Sequence, residues 1–180
     1  MSEAMQAEER LKLAQWHLSR SDQLRLGLIS RASTLLSANA LVITGVAFVS
    51  SSTTARTEVV VGASALIALA VSAYSVIQLT GVLTGSRTLS TLSRPPDSPA
   101  PIAFSYGDTI NEYSSLSEFE EKFLAQSAEE AANAAILELW RCINLHQLRT
   151  IKLQRATRCL LASAIILVVI TAEKMLLGLF

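Results

Sequence analysis

The chain has 180 residues, 51% of them hydrophobic, and 15 basic residues balance 15 acidic ones to a formal net charge of zero. That length allows one compact unit or a membrane anchor with a small polar part. Zero net charge gives no global field for nucleic acid, so no nucleic-acid partner is expected, and the apolar residues stand in blocks instead of recurring at the period of a soluble helix or strand.

Glu3 to Arg31 reads as helix: it is rich in Ala, Leu, Glu, Gln and Arg, lacks Pro, and holds only Gly27 as a weak point. Leu13, Trp16, Leu24 and Leu28 give it an imperfect apolar face. No breaker separates it from the apolar stretch Leu35 to Ser51, which predicts one long helix entering a membrane. The opening from Ser2 to Lys12 is polar, and the first apolar block starts too late for the core of a signal peptide. The short polar run Ser50 to Thr54 predicts a hairpin turn, returning the chain through Val59 to Leu83. A span needs roughly 20 mostly apolar residues to cross ~30 Å of hydrocarbon. The second stretch meets that alone, and the first meets it with Ser33 and Thr34 included.

Ser93 to Pro101 is the only Pro-rich stretch and predicts a non-helical connector. Two capping boxes follow, Ser115 with Glu118 and Ser127 with Glu130. The first opens a short helix through about Ala125. The second opens a long one with no Gly or Pro from Ala128 until Gly178, carrying a third span, Cys159 to Leu179. The expected organisation is an all-α integral membrane protein with three transmembrane helices and a small helical cytosolic region. Its parts are 1–32, an N-terminal cytosolic helix; 33–85, a transmembrane hairpin; 86–157, a cytosolic linker and helices; and 158–180, the third span.

Arg25, Arg31, Arg87, Arg94, Arg149, Lys152, Arg155 and Arg158 flank the spans on one side, against Arg56 and Lys174 on the other. The positive-inside rule then puts the N terminus and segment 86–157 in the cytoplasm, and the hairpin turn and C terminus outside.

Little in the sequence points to an enzyme. His17 and His146 lie on predicted helices without a nucleophile or ligand set. Cys142 and Cys159 share one helix and are too far apart to pair. No phosphate loop, HExxH or GxSxG is present, so no catalytic residue, metal or cofactor is expected. The carboxylates from Glu118 to Glu130 suit helix starts.

The spans say more. Ser64, Ala68 and Ser72 recur every fourth residue, with Gly62 and Ala65 beside them, and small residues at that spacing let helices approach closely. They serve either a subunit interface or packing inside one chain. Asn39 is the one strongly polar side chain deep in the first span, and it needs a partner helix or water. Arg141, Arg149, Lys152 and Arg155 fall within ~120° on the last helix, opposite Ile136, Leu139, Trp140, Ile143 and Ile151. This basic face suits an anionic ligand, or lipid headgroups and the acidic 108–130 segment.

The order of features resembles a known family. Ser30-Arg31-Ala32-Ser33-Thr34-Leu35-Leu36-Ser37-Ala38-Asn39-Ala40 opens the hairpin. A Pro-containing linker leads to Ile102-Ala103-Phe104-Ser105-Tyr106-Gly107, then a Glu-rich helix, then Leu148-Arg149-Thr150-Ile151-Lys152-Leu153-Gln154-Arg155-Ala156 before the last span. Over roughly residues 20–172 this resembles the membrane effectors of Pycsar antiphage systems. Those have a Lys-Ala-Ser-like motif at the first span, where this chain has Arg31, an aromatic-Gly motif and a basic-aliphatic segment.

The small-residue stripe and Asn39 predict a homo-oligomer, and the resemblance implies a protein of the bacterial inner membrane. It would be activated by a cyclic pyrimidine nucleotide (cCMP or cUMP) from a partner nucleotide cyclase, and would then impair the membrane. For such a ligand Arg149 and Lys152 supply the cation, Tyr106 or Trp140 a stacking ring, and Asp108 or Asn111 hydrogen bonds to base or ribose. Two other readings stay open: a SLATT-like effector with another trigger, and a non-enzymatic membrane scaffold or plasmid-transfer accessory protein.

Overall fold

The computed structural model describes residues 3–51, 58–84 and 113–177, and 96% of these are helical with none in a strand. Four helices follow in order: α1 (Glu3–Ser51), α2 (Glu58–Leu83), α3 (Leu116–Ala125) and α4 (Ala128–Leu177). Three of them, α1, α2 and α4, are long and apolar enough to cross a bilayer. The lengths of α1 and α4 follow from the lack of any internal breaker. A glycine costs a helix only about 1 kcal/mol, so Gly27 and Gly45 do not interrupt α1.

Both capped starts are present. Ser115 accepts from the Glu118 N–H at 3.3 Å, while the Glu118 carboxylate accepts from the N–H and hydroxyl of Ser114, one residue before the cap. At α4 the box is fully reciprocal. Glu130 N–H donates to Ser127 Oγ at 3.2 Å, and the Ser127 N–H and hydroxyl donate to the Glu130 carboxylate at 2.9 and 3.0 Å. These donors hold the Glu130 carboxyl below its ordinary value of 4.5. A lowered folded value stabilises the folded state above the unfolded value, and that contribution is lost as pH falls through the folded one. The first turn of α4 is therefore expected to fray below about pH 4.5, read as faster exchange of the Ala131 amide. Glu130→Gln should remove that pH dependence.

The chain divides into two compact units: Met1–Leu26 with Arg87–Gln147, and Gly27–Ser86 with Leu148–Phe180. The first, here the polar unit, packs on alanines. Ala7, Ala14, Ala132, Ala134 and Ala135 are buried, while Leu13, Trp16, Ile136, Trp140 and Ile143 are exposed. Within it α3 buries no residue, and Tyr113, Phe119 and Phe123 form a ladder of rings with 5.7 Å between successive centroids. Burial, with Glu138 and Asp22 adding to it, pushes the Cys142 thiol above its ordinary value of 9.0 against a hydrogen bond to Ser21 and the charge of Arg25.

The second, the membrane unit, packs the three spans in two apolar clusters. Leu28, Ala32, Leu79, Val82, Leu153 and Ala156 form one; Val46, Ala65 and Ala68, with Val42, Leu69, Ile166 and Leu167 against them, form the other. The first cluster extends the packing beyond the apolar blocks, because Leu28 and Leu153 lie outside the stretches that hydropathy alone marks. Close approach of α1 and α4 depends on Gly45, where a Cβ would stand 2.8 Å from Leu167 Cδ2. The far end of a leucine can rotate away from a methyl group, but not from a second leucine. Gly45→Leu is thus expected to destabilise the unit by ~1–3 kcal/mol through overpacking, measured by unfolding in mixed micelles, with Gly45→Ala costing much less.

Candidate functional site

The interior of the membrane unit carries a set of polar side chains that are all fully buried: Asn39, Ser72, Ser75 and Ser163. Each comes from a span, and together they join all three. Asn39 Nδ2 donates to the Leu35 carbonyl at 2.9 Å and to Ser75 Oγ at 3.0 Å. Ser75 in turn donates to the Ala156 carbonyl of α4 at 3.0 Å. One level further along, Ser163 donates to the Ala68 carbonyl at 2.9 Å and lies 2.7 Å from Ser72 Oγ. A hydroxyl has one proton. With that of Ser163 committed to Ala68, Ser72 is the donor between the two serines.

The orientation of the Asn39 amide is fixed by the Leu35 carbonyl, which only the NH₂ group can serve. Its Oδ1 then points elsewhere, is buried, and accepts from no donor among the described residues. Hydrogen bonds between membrane helices contribute on average ~0.6 kcal/mol each. A buried acceptor left unmade costs ~1–3 kcal/mol. By these magnitudes Asn39 costs the packed bundle at least as much as it contributes, so stability does not account for it.

Beyond these polar levels lies a further link. Lys174 Nζ donates to the Val49 carbonyl. Val49 is in the last turn of α1, whose final carbonyls lack helical partners, and the ammonium also complements the negative end of the helix dipole.

The small residues of α2 split. Ala68 and Ser72 are buried inside the bundle, with Ala65; Gly62 and Ser64 are half-buried. Ser75, Ser163, Gly45 and Gly81 are positions that the sequence pattern passed over.

The opposite end of the unit is basic. Arg149 and Lys152 are half-buried and Arg155 is exposed. Lys152 lies across α2, and a Cβ on Gly81 would stand 3.1 Å from its Nζ. Lys152 shares a helix face with Ala156 and Ser163, which are buried, so this part of the basic stripe is turned toward the packed side. Ile151, across the helix, is exposed.

In the polar unit, Arg141 is 3.6 Å from Glu138 on its own helix, and their side chains are only 11% and 19% exposed. Trp140 is 60% exposed. Trp16 stacks edge-on with His17, and the Arg20 guanidinium stands 5.5 Å over its ring. Tyr106, Asp108 and Asn111 lie outside the described residues.

A family model described as the Pycsar effector protein domain matches residues 30–173. No curated protein and no solved structure matches the chain. The matched segment takes in all of α2, α3 and the membrane part of α1, and nearly all of α4.

Proposed function

The chain belongs to the Pycsar effector protein family, and from that premise we propose that it is activated by a cyclic pyrimidine nucleotide, cCMP or cUMP, and then permeabilises the inner membrane. The family match over the spans and the linker carries this reading. A non-enzymatic role agrees with it: the buried polar groups in the membrane unit are amide and hydroxyl groups bonded to one another and to helix carbonyls. A partner nucleotide cyclase supplies the signal. Arg149 and Lys152 supply charge for the phosphate, Trp140 or Tyr106 a ring, and Asp108 or Asn111 hydrogen bonds. The excess of basic residues on one side of the spans supports a cytoplasmic N terminus, so the ligand residues face the cytoplasm, where a cyclase acts.

Self-association is part of the reading. Ser33, Ser37, Ala40, Thr44 and Ala47 are all exposed on α1, at spacings that alternate four and three, the pattern of a helix–helix seam. The hydroxyls of Ser33, Ser37 and Thr44 bond carbonyls of their own helix four residues back, leaving a shallow surface for a second copy. The exposed face of α4 differs, being built from Leu161, Ile165, Val168 and Val169, which suit lipid.

Titration of the purified protein with cCMP, cUMP, cAMP and cGMP, paired with release of potassium from vesicles containing it, tests the proposal. Binding of a pyrimidine nucleotide with release is expected. Purine binding alone, or binding without release, would overturn it.

A further inference from the structure

The polar levels of the membrane unit lie between its two apolar clusters. Leu28, Leu79, Val82 and Leu153 close one side, and Val46, Ala65 and Leu167 the other. Between them stand Asn39, Ser72, Ser75 and Ser163, fully buried and bonded across helices. Asn39 Oδ1 accepts from no donor among the described residues. If the spans separate, the freed serine hydroxyls can turn to carbonyls of their own helices, as those of Ser33 and Ser37 do, but the amide N–H that Asn39 gave to Ser75 requires a new partner, and lipid offers none. Water offers one, and it also serves the orphaned Oδ1. At the depth of Ser163 the outward face of α4 is aliphatic, with Leu161, Ile165 and Val168.

We propose that Asn39, Ser72, Ser75 and Ser163 line a water-filled path for small ions in the open protein, with the two apolar clusters as the constrictions that keep it dry when closed. This rests on the membrane-permeabilising reading above. Hydrophobic constrictions gate by dewetting, and a bundle that opens at both clusters exposes the polar levels between them. The uncompensated Asn39 acceptor biases the balance toward the hydrated state, because it is satisfied only there.

The test uses the full chain in vesicles of phosphatidylethanolamine and phosphatidylglycerol, with Cys142 and Cys159 changed to serine. Ser72→Cys, Ser163→Cys and, on the lipid face, Val168→Cys are treated with a water-soluble cationic methanethiosulfonate. With cCMP or cUMP present, the two interior cysteines are expected to react at least about tenfold faster than without it, and their modification to block potassium release. The control should react slowly in both states. Release that opens while the interior cysteines react no faster than the control would overturn the path.

A second arm needs no nucleotide. An acid at position 39 is neutral while buried and ionises only when water reaches it. One unit of difference in its pKa between the two states favours the hydrated one by about tenfold. Asn39→Asp is expected to raise unliganded leak by at least that factor, and Asn39→Leu to suppress leak. If neither nucleotide opens the unmodified protein but Asn39→Asp leaks, the trigger assignment fails and the path stands. If an inserted, helical Asn39→Asp leaks no more than the unmodified protein, the path is wrong.

Discussion

Ala68→Leu is expected to destabilise the membrane unit by about 3 kcal/mol, at the top of the usual range for overpacking. Ala68 is fully buried against Val46 and Ala65, and its carbonyl accepts from Ser163. A leucine there forces α2 away from its neighbours and strains that bond as well. Removing the hydrogen bond alone, by Ser163→Ala, should cost closer to ~0.6 kcal/mol, the average for membrane helices. Packing, not polar bonding, therefore dominates the stability of the bundle.

The paired variant is Ala40→Leu, on the exposed seam of α1. It should leave intramolecular stability unchanged and weaken self-association. Unfolding in mixed micelles and a dilution series of oligomer size separate the two. If Ala68→Leu dissociates an oligomer whose protomers remain fully stable, the α2 stripe is a subunit contact after all.

Much of the fold was legible because lipid imposes a strong pattern. Apolar blocks of span length and two capping boxes leave few alternatives for the described residues, and α3 and α4 begin where Ser115 and Ser127 place them; the Pro-rich connector lies outside those residues. The site was less legible. A helical wheel over residues 141–155 separates a basic side from an aliphatic one, but it does not say which side packs. That is decided further along the same helix, where Ala156, Leu160 and Ser163 are buried and carry Lys152 inward with them. Arg141 counts toward the basic face on that wheel, yet it lies 3.6 Å from Glu138, the acid three residues before it. Serines in a span read as small residues; their roles as donors across helices depend on register, which composition does not contain.

Removing the two charges near the end of the bundle is expected to lower nucleotide affinity by ~100-fold or more. A hydrogen bond to a charged group contributes ~1.5–3 kcal/mol, and about 1.4 kcal/mol is a factor of ten in binding. Two such contacts to one phosphate therefore account for a change of that size. The variant must spare the packing. Lys152 is half-buried, and its stem crosses α2 at Gly81, so alanine would remove contacts as well as charge. Lys152→Met keeps the stem and deletes the ammonium, and Arg149→Met does the same for the guanidinium. A complementary change leaves both charges in place. Gly81→Val puts a branched side chain where Lys152 Nζ now lies, and so moves the ammonium without neutralising it. If Lys152 holds the phosphate, Gly81→Val weakens binding while oligomer size and helicity stay constant. If the two basic residues only anchor α4 to lipid headgroups, all three substitutions leave cCMP and cUMP binding unchanged and instead reduce the preference of the protein for vesicles containing anionic lipid.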